Sequence, residues 1–411
     1  MSHPSHPAPP APSAPSPGRR RATTLVLAPA LALTTALAGC ADARTAENTG
    51  SAEDTGNAGN EPPTASLPDP TGPSPVGTTT FHLADTERED PWVGGDRELM
   101  VTLWYPTASD DGERAPYLTE AEAEATLTEL GIEDLPAEAL TGVGTHSSPE
   151  APPSGSGLPL VLFSPGAGLS RTWAGALAEE LASHGFAVAG IDHRHEAAPV
   201  EFPDGLVDRC EGCQAEDWEL GGITRAADVT FLLDELEAGR AWEASSSLDT
   251  TGVGMIGHSW GGAAVAQTLL DEERVSAGLN LDGPYYGAQL EGGIDKPLAL
   301  LANDQGRPWE GWDERWAGLT GWRQWIRVTD SGHSNALDRG VLMDQFGLRD
   351  LLTPDQWRAQ FGDLDPEHGL QLVRDYSVGL FDHHLRGGEQ PILDDPQSVH
   401  PELVVVGPET G

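Results

Sequence analysis

The chain has 411 residues, 38% hydrophobic and 6% aromatic, enough for one large domain with its own core or two modest ones, and too mixed for a collagen or a coiled coil. With 65 acidic residues against 23 basic ones, its formal net charge is −42, which repels phosphate backbones and anionic headgroups and argues against a nucleic-acid partner.

The first element in chain order is an export signal. Gly18-Arg19-Arg20-Arg21 precedes an apolar run over 22–37 that is short for a membrane span and placed like the core of a secretory signal. It ends at Leu37-Ala38-Gly39-Cys40, which resembles the bacterial lipobox: small residues admit the peptidase, and the Cys40 thiol takes diacylglycerol. The expectation is a signal peptide over 1–39, a lipidated Cys40, and a protein held on the extracytoplasmic face of the cell membrane or secreted. The alternative is an ordinary small-residue cleavage that leaves Cys40 as a free thiol. In an oxidising compartment Cys210 and Cys213 are expected to close a local disulfide, because zinc ligands and a thioredoxin-like strand-to-helix context are both missing around them.

Residues 40–76 are rich in Ala, Glu, Gly, Thr and Pro without apolar periodicity and read as a disordered tether. A catalytic domain is expected over 77–395, followed by a C-terminal tail over 396–411. Within it, 99–105 reads as a strand, 121–130 as a helix and 144–157 as a polar loop. Residues 160–163 form a short apolar run typical of a strand buried on both faces. Helices then alternate with strands: helix 172–184, strand 187–191, helix 224–237, strand 253–256, a helix after Gly261, strands 278–281, 298–301 and 326–329, and a last helix over 370–385. That alternation predicts an α/β fold with a doubly wound, mostly parallel sheet and helices on both faces.

The most informative stretch is Gly257-x-Ser259-x-Gly261 between the strand at 253–256 and the following helix. A serine there stands on a strained turn, and glycines two residues either side are required because a side chain would strike neighbouring backbone. Gly252-x-Gly254-x-x-Gly257 also fits the dinucleotide fingerprint, but its last glycine falls in the strand rather than on the helix, a coincidence of spacing. A serine nucleophile needs a histidine base oriented by an acid, in the chain order Ser, acid, His. His333 follows a strand in a small-residue loop, whereas His383 and His384 lie in a helical pattern as surface or packing residues. Two acids compete, Asp282 and Asp304, each closing a strand at the end where such sheets build sites. Asp330 is near enough to His333 to be a turn cap instead. Residue chemistry alone leaves Asp282 and Asp304 open.

LVLFSPGAGLSRTW over 160–173, LASHGFAVAGIDHR over 181–194, the turn at 257–261 and LNLDG over 279–283 together resemble the plasma-type platelet-activating factor acetylhydrolases. The resemblance, clearest over 160–194, 252–283 and 328–338, implies an α/β-hydrolase fold and a calcium-independent serine esterase acting on short-acyl sn-2 esters of phospholipids. It implies Asp282 rather than Asp304 as the acid, His333 as the base, and backbone amides of Ala167 and Trp260 as the oxyanion hole. The chain departs from the family at Pro165, where many members carry His, and at Gly283-Pro284.

Weaker features have rival readings. Trp309, Trp312, Trp316, Trp322 and Trp325 could rim a lipid-accepting mouth or pack a crossover helix on the sheet. His193 and His195 share a strand face, which suggests a metal, but strand-end hydrogen bonding suffices. His258 reads as the variable position of the turn. No cofactor or metal is expected, the substrate is an ester or lipid, the membrane is met through the anchor, and the chain is read as a monomer. A polyester or cutinase-like hydrolase is the alternative within the same chemistry, and a ligand-binding lipoprotein on an inactive hydrolase scaffold is the alternative outside it.

Overall fold

The computed structural model describes residues 63–109, 112–286, 293–304 and 312–406. Its strands are β1 (Val76–Glu89), β2 (Asp96–Pro106), β3 (Ser147–Pro149), β4 (Leu158–Ser164), β5 (Ala187–His193), β6 (Val200–Glu201), β7 (Val207–Asp208), β8 (Leu248–His258), β9 (Val275–Leu281), β10 (Leu298–Asn303), β11 (Arg323–Val328) and β12 (Leu403–Val406). Its helices are α1 (Glu120–Leu130), α2 (Ala137–Thr141), α3 (Gly175–Ser183), α4 (Glu211–Ala215), α5 (Trp218–Glu237), α6 (Trp260–Asp271), α7 (Trp312–Trp316), α8 (Asp338–Gln345), α9 (Pro354–Phe361), α10 (Pro366–Arg386), α11 (Pro391–Asp394) and α12 (Pro396–Val399).

All strands except the β6–β7 pair form one sheet in the order β12-β11-β10-β9-β8-β4-β5-β2-β1-β3. The central run from β11 to β5 is parallel, and antiparallel β12 and β2 flank it. The sheet is therefore doubly wound and mostly parallel. The two-residue period of β4 sends Val161 and Phe163 to one face and Leu160 and Leu162 to the other. Leu177 and Leu181 of α3, Val341 of α8 and Phe381 of α10 cover the first face; Val229 and Leu233 of α5 with Val265 and Leu269 of α6 cover the second. Each fully buried side chain of this kind contributes about 2 kcal/mol of transfer free energy, so a strand buried on both sides must be apolar throughout.

Three boundaries differ from the sequence expectation. The tether does not extend to residue 76: Leu67 is buried, its N–H binds the Gly144 carbonyl at 2.8 Å, and Arg374 of α10 donates to the Asp69 carbonyl. Ala65 and Leu67 supply enough apolar surface to dock a segment that looks merely polar by composition. The signal at 1–39, Cys40 and residues 40–62 lie outside the described residues. At the other end, 396–411 is not simply a tail, because α12 leads into β12, whose Leu403 is fully buried and which pairs with β11. Finally, the catalytic domain begins with a strand, β1, that the sequence reading does not assign; its threonines pair with β2 across an antiparallel ladder.

Of the tryptophans, Trp309 lies outside the described residues. Trp312 is 1% exposed, with its ring 4.1 Å from Tyr285 and 5.8 Å from Trp325, so this part of the cluster packs against the sheet rather than opening a mouth.

Candidate active site

The C-terminal ends of β4, β8, β9 and β10 are neighbours, in register Ser164↔Gly257, His258↔Leu281 and Leu301↔Leu281, so the loops after them converge on one edge of the sheet. Between β8 and α6, Ser259 is held at φ 53° and ψ −115°, a conformation that non-glycine residues rarely adopt. Its N–H is tied to the Leu281 carbonyl at 2.9 Å. A Cβ on Gly257 would lie 2.1 Å from the Gly261 carbonyl oxygen, and one on Gly261 would lie 1.9 Å from that of Ser164. The glycines are therefore forced by backbone approach, and the serine is left partly open to solvent. Gly257 belongs to the strand, as the spacing argument against a dinucleotide site requires.

The structure brings Asp282 and His333 together. His333 Nδ1 donates to Asp282 Oδ2 at 2.5 Å, while the same carboxylate accepts the Asn303 side-chain amide and, at 3.1 Å on Oδ1, the Asn303 N–H. Asp304 is engaged elsewhere: it accepts the Asp330 N–H at 3.1 Å and faces Arg327. The His333 loop hangs from α9, with His333 N–H on the Ala359 carbonyl at 3.0 Å and Ser334 N–H on that of Gln360 at 2.6 Å.

His258 was read from sequence as incidental, yet it joins the two halves of the site. Its Nε2–H donates to the His333 carbonyl at 2.8 Å, and the two rings lie 4.8 Å apart. Burial, and then the neighbouring His333, push its pKa from 6.5 down to about 3, so the ring stays neutral. The unfolded chain takes up this proton near pH 6.5 and the folded one only near 3, so its contribution to stability is complete above 6.5 and lost as pH falls through that window. His258→Gln, which retains an N–H donor, is expected to flatten that dependence; urea midpoints at about pH 7 and about pH 4.5 measure it.

Opposite His333, the loop Pro165-Gly166-Ala167-Gly168 passes over the serine: a Cβ on Gly166 would lie 3.3 Å from Ser259 Cβ. Among the described residues nothing accepts the Ala167 N–H, and the Trp260 N–H, in the first turn of α6, has no intrahelical partner. One donor thus follows the serine directly, and the other lies in the loop that approaches it. The Cys210–Cys213 disulfide, with Cα atoms 5.3 Å apart, lies against this loop, its Cys213 Sγ 3.7 Å from where a Cβ of Gly168 would stand.

Elsewhere a serine, a histidine and an aspartate are joined by hydrogen bonds. Ser164 Oγ meets His193 Nε2 at 3.0 Å, and His193 Nδ1 meets Asp228 at 2.7 Å. All three are fully buried, and Arg97 bridges Asp228, Glu196 and Asp90 around them. Although burial alone raises a carboxyl, Arg97 and His193 hold Asp228 well below the usual range. With all three side chains out of reach of solvent, an ester has no access to this cluster, which is structural. Asp192 pairs with Arg171 and His195 faces Asp90, so the Asp192–Glu196 stretch is consumed by ion pairs. His383 binds the Gly388 carbonyl and His384 packs on Trp322.

Residues 61–205 match the family model for platelet-activating factor acetylhydrolase, isoform II. A probable 1-alkyl-2-acetylglycerophosphocholine esterase of Arthroderma benhamiae is 25% identical over 376 residues, 82% of this chain and 93% of the relative. The platelet-activating factor acetylhydrolase of Cavia porcellus is 27% identical over 370 residues, 78% of each chain. A solved ferulic acid esterase from Streptomyces cinnamoneus superposes with a TM-score of 0.77 at 37% identity, covering 84% of this chain and 99% of that one.

Proposed function

We propose that in this chain, a carboxylic ester hydrolase of the α/β-hydrolase fold similar to the platelet-activating factor acetylhydrolases, Ser259 is the nucleophile, His333 the base and Asp282 the acid that orients the base. The observation that carries this reading is the Asp282–His333 hydrogen bond, with the His333 carbonyl in turn bonded by His258, the residue just before a serine at positive φ. With Nδ1–H given to Asp282, Nε2 of His333 takes the Ser259 proton as Oγ bonds to the ester carbon. The carbonyl electron pair moves to oxygen, which the Ala167 and Trp260 N–H groups receive. Collapse expels the alcohol, which takes the proton from His333, and water repeats the sequence on acyl-Ser259 to release the acid.

The substrate proposed is a short-acyl sn-2 ester of a phospholipid, supported by the names of the acetylhydrolase relatives. A second reading, an ester of a hydroxycinnamic acid, is favoured by the 37% identity to the ferulic acid esterase. We further propose lipidation at Cys40 and work on the extracytoplasmic side as a monomer, supported by the lipobox-like tetrad and by a disulfide that an oxidising compartment sustains. The test is twofold. A fluorophosphonate is expected to label Ser259, which an inert ligand-binding scaffold would not allow. Rates on an sn-2 acetyl phospholipid, methyl ferulate, nitrophenyl acetate and a polyester film are expected to rank the phospholipid first; a large excess for ferulate or polyester replaces that substrate assignment.

A further inference from the structure

We propose that Arg225 and Glu196 form a clamp that sets the geometry of the oxyanion-binding loop, a positioning role that rests on the reading of Ser259 as nucleophile. Arg225 projects from α5 and is fully buried. Its Nη1 donates to the Pro165 carbonyl and, at 3.2 Å, to Ser164 Oγ, which fixes the start of the loop. Its Nε donates to Glu196 at 2.6 Å, and the main-chain oxygen of that same glutamate accepts the Gly168 N–H at 2.9 Å, which fixes the end. Ala167, whose N–H faces no acceptor among the described residues, lies between these two fixed points.

The same guanidinium reaches the other donor. It lies 4.5 Å from the centre of the Trp260 ring, on a helix whose Gly221 admits that ring: a Cβ there would lie 1.8 Å from it. The Trp260 indole N–H donates to the Trp218 carbonyl at 2.9 Å, so the ring is pinned between α5 and its own helix. One side chain therefore touches the elements that carry both backbone donors. Arg225 Nη2 is buried without a hydrogen-bond partner. An unmade bond to a buried guanidinium is costly. Beyond Glu196, the fork is spent on a carbonyl, a hydroxyl and a ring beside the serine. Backbone donors stabilise charge only if already aimed where it develops, and small misplacements are costly in rate.

Full-chain Arg225→Met and Arg225→Lys, each active-site titrated with a fluorophosphonate so that only folded molecules are counted, give the test. Relative to the native chain, kcat per titrated site on a short-chain nitrophenyl ester is expected to fall by about 10- to 100-fold with KM within about twofold. Ki for a methyl trifluoroketone, whose hemiketal carries the oxyanion, is expected to rise in step. Arg374→Lys, in a buried ion pair with Glu180 away from the site, is expected to lower the melting temperature while leaving both constants native. Titrated Arg225 variants with native kcat and native Ki overturn the clamp. Should neither fold, Glu196→Gln carries the same expectation at about fivefold, and native constants there overturn it. Activity that survives Ser259→Ala, measured alongside, strikes the underlying nucleophile assignment instead.

Discussion

Ser259→Ala is expected to lower kcat for ester hydrolysis by about 10⁵- to 10⁶-fold, with KM changed by no more than a few-fold. The loss is large because the covalent route disappears while the amides of Ala167 and Trp260 and the binding surface remain, and these alone retain only a small residual rate. Backbone strain stays in place, since alanine must adopt the same φ of 53° that the flanking contacts of Gly257 and Gly261 impose. The stability of the variant should therefore stay close to native, so the rate loss cannot be traced to unfolding. Steady-state kinetics, a urea melt and mass analysis of the fluorophosphonate adduct read the three quantities together.

Asp282→Asn is expected to cost about 10³- to 10⁴-fold in kcat/KM, whereas Asp304→Asn should change it by less than about threefold. An amide at 282 preserves shape but presents an N–H toward His333 Nδ1, which favours the opposite tautomer and removes the charge that stabilises the imidazolium formed during attack. Asp304 contributes a hydrogen bond to the Asp330 N–H and faces Arg327, so its replacement perturbs the turn ahead of His333 without reaching the ring. Parallel kcat/KM measurements on the two variants check the assignment; a reversed order would falsify it.

The parallel sheet was legible because a strand covered on both faces announces itself as a short apolar run, as at 160–163, and because helices of ordinary length fill the intervals. The serine was legible for a local reason: the strand, the two glycines and the helix that impose its conformation are all within a dozen residues. The choice between Asp282 and Asp304 was not readable from residue chemistry, since both close neighbouring parallel strands and look alike in their own surroundings. What distinguishes them is the position of a later loop, which brings His333, 51 residues on, to Asp282 and the Asp330 N–H, 26 residues on, to Asp304. His258 escaped for a similar reason, its partner being a carbonyl 75 residues away. Charge deceived most. Arg97 lies on β2, Glu196 just after β5, and Arg225 and Asp228 on α5, and only the fold gathers them into one fully buried group. The docked segment near Leu67 and the late strand β12 were missed because two or three apolar side chains sufficed to seat them, too few for any periodicity to register.

The bond between Cys210 and Cys213 closes a ring of only four residues. Cross-links restrain an unfolded polymer in proportion to the loop they enclose, so this one removes little of its freedom, about 2 kcal/mol by the chain-entropy relation. Its leverage is regional: it stiffens the short ribbon that buttresses Gly168, much as a shim steadies one joint without carrying the building. Reducing this bond is therefore expected to loosen the rim of the cleft while leaving the sheet as it stands.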